Sequence, residues 1–137
     1  MNRIAGAIAG TTLTAGLLGT TFAPAALAAG TTQLSRDQVS RIVLAPAPGQ
    51  PARCYIAGHA DSDKAWAILT YRSPAPKGCQ PTDGYWVVHR TSSGWIDTEI
   101  PVVVATCKTL RKDLARAGAP RSVFLDFKAS GACQADI

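Results

Sequence analysis

The sequence predicts an α+β domain, with an antiparallel sheet of four to five strands, one main C-terminal helix packed on it and two disulfides. Three observations predict this class. Short runs of aromatic and branched residues alternate with turn residues, which is typical of antiparallel strands. One segment near the C-terminus has apolar residues at helical spacing. The chain also carries 4 cysteines, all of them far apart.

The N-terminal residues 1–28 predict a signal peptide. Arg3 gives a basic start, residues 4–28 carry no charge, and Ala26 and Ala28 form the small-x-small pattern that signal peptidase needs. The alternative is a permanent membrane helix, but several glycines dilute the stretch and no cluster of Lys or Arg follows it. We therefore expect cleavage after Ala28 or the following residue, and a secreted, extracellular protein.

Removal of the signal peptide leaves a chain of the length expected for a single domain. We divide it into residues 29–52, an N-terminal extension with a short helix and a Pro-rich linker, and residues 53–137, a disulfide-stapled α+β domain. The helix is predicted over residues 35–44, because Ser35 is a favourable N-cap and Gln38 stands three residues later, as in a capping box. The prolines that follow end regular structure in the linker.

Four segments of the stapled domain predict its main strands, because they are rich in aromatic and β-branched residues. They are residues 53–58, 65–71, 85–90 and 95–99. The hairpin that joins the last two through a turn ending in Gly94 is the clearest element. Residues 101–105 and 122–127 are predicted as further strands, whereas residues 29–32 are predicted to be an irregular start.

The main helix is predicted from its cap at Thr106 through Ala117. Leu110 and Leu114 fall four residues apart, so they share one face of a helix with Ala117. The residues that follow include Gly118 and a proline, which together predict a sharp helix end.

The four cysteines predict two disulfides, because an even number in an exported chain indicates a disulfide framework. Four cysteines allow three connectivities. We favour Cys54–Cys79, because the strand–turn–strand stretch between these two cysteines brings them together. We also favour Cys107–Cys133, because a returning strand before Cys133 would pass the start of the helix. No two of them have the close spacing of a zinc site. We therefore expect no metal and no cofactor.

Catalytic residue types are scarce in the mature part of the chain, which has Glu99, His59 and His89 and none of the common catalytic motifs. His59 lies near two turn aspartates, and His89 would face Glu99 across the hairpin. Either histidine could act as a base in a small secreted hydrolase. The simpler interpretation is a turn residue and a polar sheet face, so we name no catalytic residue and favour a protein that is not an enzyme.

Two surfaces are candidates for binding. Trp66 and Trp86 are expected to be buried, whereas Trp95 follows a turn and is expected to be exposed, where an aromatic ring can anchor a partner. The predicted helix carries a positive ridge that suits an anionic partner, with a further arginine after the helix. The ridge consists of Lys108, Arg111, Lys112 and Arg116, together with Arg121 after the helix end. The alternative is an ordinary solvated helix face, and because no aromatic residues interleave with the charges we expect no specific nucleic-acid partner.

Two motifs add a resemblance. Residues 63–67 read D-x-x-W-A, and residues 87–95 read V-V-H-R-T-x-x-G-W. With the leader, the spaced cysteines and Cys133 near the C-terminus, they resemble small secreted proteins of actinobacteria over most of the mature chain. The resemblance implies export and carries over no activity and no catalytic residue.

These observations favour a small secreted, non-enzymatic binding module, monomeric and without a membrane span after cleavage, that presents a rigid surface to an extracellular protein or an envelope polymer. A protease inhibitor is one form of such a module, with residues 73–84, held by Cys79, as the inserted loop. The alternatives are a small hydrolase that uses His89 or His59, and a protein attached to the envelope by its basic helix.

Overall fold

The structure is a computed structural model that describes residues 29–80, 84–100 and 106–135. The predicted signal peptide, residues 1–28, and the strand predicted at residues 101–105 lie outside these ranges. Across the described ranges, no helix has both the length and the apolar character needed to cross a membrane.

One antiparallel sheet of five strands forms the centre of the domain, with its strands in chain order. The strands are β1 (Thr31–Gln33), β2 (Tyr55–Ala60), β3 (Asp63–Tyr71), β4 (Tyr85–Thr91) and β5 (Gly94–Asp97). Each strand pairs with the next one along the chain, so the sheet is a meander. The four main predicted strands are confirmed as β2 to β5, with ends displaced by a few residues.

In the described part of the chain, three α-helices cover the sheet: α1 (Arg36–Val43), α2 (Cys107–Arg116) and α3 (Arg121–Ala129). A short 3-10 helix, Ala52–Cys54, precedes β2. The prediction of one main C-terminal helix is therefore wrong, since residues 122–127 lie within α3 and do not form a strand. Val123, Phe124 and Phe127 are all buried, and their spacing places them on one face of a helix. Their branched and aromatic composition favours strands, but burial of this face against the sheet outweighs that preference.

The start of the described chain is ordered, contrary to the prediction for residues 29–32. Thr31–Gln33 forms β1 and pairs with residues 58–60 of β2. The backbone N–H of Asp61 also donates to the carbonyl of Gly30 at 3.0 Å. The segment predicted as an N-terminal extension thus supplies both an edge strand and α1 to the structure.

The sheet has a hydrophobic core on each face, because successive side chains of a strand point to opposite faces. On one face, Trp66, Ile68 and Val87 pack against α2 and α3. On the other, Ala67, Leu69 and Val88 pack against α1. The helices bring further buried residues to these cores, which are Leu110, Leu114, Val123 and Phe127 on the first face and Val39, Ile42 and Val43 on the second.

Both predicted disulfides are present. Cys54–Cys79 joins the start of β2 to the loop after β3, with its Cα atoms 5.6 Å apart. Cys107–Cys133 joins the first residue of α2 to the segment after α3, with a Cα separation of 4.9 Å. The chain returns to Cys107 through α3 and not through the strand that was expected. Two disulfides indicate a non-reducing environment.

The predicted helix caps are also present. In α1, the backbone N–H of Gln38 donates to Ser35 Oγ at 3.3 Å, and the N–H of Ser35 donates to Gln38 Oε1 at 3.0 Å, which completes a capping box. In α2, the N–H of Thr109 donates to Thr106 Oγ1 at 3.2 Å. These bonds satisfy amide groups that a helix N-terminus leaves without partners.

Candidate functional site

The outer side of the helical hairpin formed by α2 and α3 carries a groove with a volume of about 760 Å³. The turn between the helices sets its shape. Gly118 has a φ of 90°, which ends α2 in the left-handed conformation that glycine favours. The N–H of Ala119 donates to the carbonyl of Leu114 at 2.9 Å, and that of Gly118 donates to Ala115 at 3.1 Å, which is the Schellman motif.

The floor of the groove is apolar. Leu114 and Phe124 form its deepest part, with 1% and 6% of their surfaces exposed. Ala115, Ala119 and Pro120 continue the apolar lining toward the surface. The floor therefore offers a partner a small hydrophobic contact area at the junction of the two helices.

The rim of the groove is basic. Four cationic side chains line it: Lys108, Arg111, Lys112 and Arg121. Three of them belong to the ridge predicted on α2, and Arg121 comes from the first turn of α3, which the Gly118 turn brings back beside α2. Among the described residues, Arg111, Lys112 and Arg121 make no ion pair with an acidic side chain.

Arg116, the fourth residue of the predicted ridge, lies apart from the groove. Its Nη1 atom is 3.5 Å from Oδ1 of Asp113. Both residues line a smaller cavity of about 230 Å³ together with Glu99 and its neighbours. The charge of Arg116 is thus matched by a nearby carboxylate, unlike the charges of Arg111 and Lys112.

Trp95 lies on the opposite face of the sheet from the groove. It pairs with Arg90 across the β4–β5 hairpin, and the guanidinium carbon of Arg90 is 5.8 Å from the centre of its ring. Trp66 is buried as expected, with 2% of its surface exposed. Trp95 was expected to be exposed and Trp86 to be buried, but both are half-buried, because both pack at the edge of the core under α1. Trp95 and the basic ridge therefore belong to two separate surfaces.

Both histidines contact neighbouring groups of the sheet and its turns. The ring of His89 stacks on Trp66, with centroids 4.0 Å apart and planes inclined by 14°. Its partner across the hairpin is Ile96, so the expected pairing of His89 with Glu99 is wrong. The N–H of Glu99 donates instead to Asp97 Oδ1 at 2.9 Å.

Within the described residues, His59 makes no hydrogen bond to either of the aspartates that were expected to orient its ring. Its Nδ1 atom is 2.9 Å from the carbonyl oxygen of Ala60. Of the two aspartates beside it, Asp61 accepts a hydrogen bond from Thr32 Oγ1 at 2.6 Å. Asp63 accepts the N–H of a residue in its own strand. Within residues 29–80, 84–100 and 106–135, no cluster of three His, Cys, Asp or Glu side chains is placed to hold a metal ion.

The loop predicted as an inhibitory loop is described as far as Gln80 and from Gly84 onward. The Cys54–Cys79 disulfide fixes one end of it, and Arg53 Nη1 donates to the carbonyl oxygen of Lys77 at 2.8 Å. These contacts hold the described part of the loop against the start of β2.

Comparison with protein-family models, with curated proteins and with solved structures finds no match to this chain. The assignment of a site therefore depends on the geometry of the groove and on the residues that line it.

Proposed function

We propose that the protein is a small secreted, non-enzymatic binding module that holds an acidic segment of an extracellular protein in the α2–α3 groove. The observation that carries the proposal is the combination, in one concave surface, of an apolar floor and a rim of basic side chains. The predicted signal peptide and the two disulfides support export.

The charges of the rim favour an anionic partner. Lys112 and Arg121 come from different helices and face the same groove, and none of the described residues that line it is acidic. The basic side chains of the rim repel one another, so binding of a partner that carries carboxylates reduces this electrostatic repulsion. Exposed charges of this kind mainly increase association rate and specificity, and salt weakens their effect.

The floor determines which kind of anion fits. A uniformly charged polymer would cover Leu114 and Phe124 with polar groups and would gain nothing from the apolar surface. A bilayer surface fits a projecting apolar face better than a groove between two helices. An acidic peptide segment with one large apolar side chain satisfies both features, because the side chain enters the floor while neighbouring carboxylates meet the rim.

The test uses two fluorescent peptides of equal length and charge, one repeating Glu-Leu-Glu and the other Glu-Ser-Glu. Fluorescence polarisation measures their binding to the secreted, oxidised protein. We expect saturable binding of the leucine peptide, about tenfold or more tighter than binding of the serine peptide, because only the first fills the apolar floor. Equal affinities would contradict a role for the floor.

A charge-reversal pair locates the site. The double variant Lys112→Glu, Arg121→Glu should lose most of the affinity for the leucine peptide. The matched control, Arg36→Glu with Lys64→Glu, makes the same change in net charge at exposed positions outside the groove. Equal losses in both variants would show attraction to overall positive charge and not a defined site.

A further inference from the structure

A second cavity, with a volume of about 470 Å³, lies on the α1 side of the sheet. Its aromatic wall consists of Tyr55, Tyr71 and Trp86. The Pro-rich segment after α1 forms one side of the cavity through Ala47, Pro48, Gln50 and Pro51. The loop held by the Cys54–Cys79 disulfide forms the other side through Gly78, Cys79 and Gln80. We propose that this cavity binds a short neutral carbohydrate.

The first support is the charge of the cavity. None of its described lining residues carries a charged side chain at neutral pH. Burial, together with the hydrogen bond to Tyr71, raises the pKa of Tyr55, so the Tyr55 hydroxyl stays protonated well above neutral pH. A charged ligand would lose its hydration there and would meet no charged side chain among the described lining residues. The guanidinium of Arg53 lies 3.6 Å from Cys79 Sγ, but it already donates to the carbonyl oxygen of Lys77. A neutral polar ligand avoids the cost of desolvating a charge.

The second support is the arrangement of the rings. Tyr71 and Trp86 are half-buried, and their centroids are 5.9 Å apart with planes inclined by 51°. Tyr55 packs behind them, 4.6 Å from Tyr71 and 5.9 Å from Trp86, and is only 1% exposed. The buried ring thus supports two partly exposed rings, whose faces can cover the C–H surface of a sugar ring.

The third support is the set of hydrogen-bonding groups. The hydroxyl of Tyr55 donates to that of Tyr71 at 3.2 Å, which leaves the proton of Tyr71 to donate elsewhere. The side chains of Gln50 and Gln80, both exposed, make no hydrogen bonds to the described residues. Amides and hydroxyls both donate and accept, as sugar hydroxyls do, so each can pair with such a ligand.

The boundaries of the cavity favour a sugar over an extended peptide. Aromatic, uncharged grooves also bind Pro-rich peptides, which lie along an open track. Here the chain's own prolines already occupy one side, and the disulfide loop, held by the hydrogen bond from Arg53 to Lys77, closes the other. The volume lies in the range of small-ligand pockets.

The test is titration of the secreted, oxidised protein with maltotriose, cellotriose and triacetylchitotriose, followed by tryptophan fluorescence and saturation-transfer NMR. We expect saturable binding of at least one trisaccharide with a Kd of roughly 1 mM or lower. Absence of saturation with all three, or binding of a proline decapeptide in their place, would overturn the proposal.

Variants connect the binding to the cavity. Trp86→Ala should reduce the affinity by about tenfold or more, as the loss of a stacked ring implies. Because that change could also disturb folding, the exposed pair Gln50→Ala, Gln80→Ala provides a second test, with an expected loss of several-fold. Trp95→Ala, on the same sheet face but outside the described lining of the cavity, is the matched control. Unchanged affinity in both the Trp86 variant and the glutamine pair would refute the site.

The groove and the cavity can be tested independently, because they lie on opposite faces of the sheet and have no described lining residue in common. The Lys112→Glu, Arg121→Glu variant should bind the trisaccharide as the unaltered protein does. Failure of sugar binding would leave the proposed peptide groove unaffected, and the reverse also holds.

Discussion

Asp126 of α3 accepts two hydrogen bonds from Ser62 in the β2–β3 turn, one from its backbone N–H at 2.8 Å and one from its hydroxyl at 2.6 Å. The two residues are 64 positions apart in the chain, so this contact fixes the helical hairpin to the sheet. The groove between α2 and α3 depends on the position of α3, and Asp126 helps to set that position.

Replacement of Asp126 by alanine should therefore destabilise the protein. We expect the free energy of unfolding to fall by about 1–2 kcal/mol, because two charge-assisted hydrogen bonds are lost at a partly exposed site. Urea denaturation measures the change. Ser62→Ala, which removes only the hydroxyl bond, should have the smaller effect; an equal or larger effect would show that Asp126 acts in another way.

A methyl group at Gly30 should disrupt the junction between β1 and α3. A Cβ atom at this position would overlap the backbone oxygen of Asp126, and the φ of Gly30 is 91°. Gly49 has a similar φ of 87° but open space around it, so Gly49→Ala tests the backbone strain alone. We expect Gly30→Ala to cost about 1–3 kcal/mol more than the control in thermal or urea unfolding. Equal costs would contradict the close approach of β1 and α3.

Removal of each disulfide should weaken binding at a different site, the cavity for Cys54–Cys79 and the groove for Cys107–Cys133. Each links residues 25 or 26 positions apart, so replacement of either pair by serine should cost roughly 3 kcal/mol. The Cys54→Ser, Cys79→Ser variant should lose affinity for the trisaccharide and keep affinity for the leucine peptide. The Cys107→Ser, Cys133→Ser variant should show the opposite pattern. Equal losses of both activities in both variants would show a general effect of stability.

Tyr85 should make the protein less stable at high pH. Burial raises its pKa above the ordinary value of about 10, and its hydroxyl donates to the carbonyl of Ala132. Above pH ~10 the unfolded chain loses the tyrosine proton while the native protein keeps it, so stability falls as pH rises and is fully present below that pH.

The slope of this effect can be measured by urea denaturation between about pH 9 and pH 11. Tyr85 contributes at most about 1.4 kcal/mol per pH unit, and less where water reaches the hydroxyl. Tyr85→Phe cannot ionise, so its stability should decline less steeply over the same range. Identical slopes for the variant and the unaltered protein would contradict the raised pKa.

Local signals in the sequence predict most of the fold. The capping box at Ser35, the cap at Thr106 and the turn at Gly118 depend on neighbouring residues, and the structure contains all three. Strand segments with aromatic and branched residues were also predicted because such residues suit a half-buried sheet. The Cys54–Cys79 pairing follows from the adjacent strands β2 and β3, whereas the Cys107–Cys133 pairing was predicted from a strand that is the helix α3 in the structure.

The elements that were missed depend on tertiary contacts. β1 has only three residues and no hydrophobic alternation, and its pairing with β2 is visible only in the folded chain. α3 has the composition of a strand, and its helical form is decided by the burial of Val123 and Phe127 against the sheet. The i, i+4 spacing of those two residues indicates a helix, but their residue types favour a strand, and the sequence alone does not decide between the two signals.

The candidate site also combines features that the local sequence predicts with features that depend on tertiary contacts. The charges of α2 are visible in the sequence, but their grouping is not. Arg121 enters the groove because α3 is a helix that follows a tight turn, whereas Arg116 is directed toward Asp113. The cavity beside Trp86 combines three distant segments of the chain, which only the sheet register and the first disulfide bring together.

The most direct test of the proposed function is a heteronuclear NMR titration of the isotope-labelled, oxidised protein with the Glu-Leu-Glu peptide. We expect saturable amide shifts concentrated in α2, α3 and the Gly118 turn, with the amides of α1 unaffected. Shifts spread over all basic surfaces, or centred on Trp95 and α1, would contradict the assignment of the groove as the binding site.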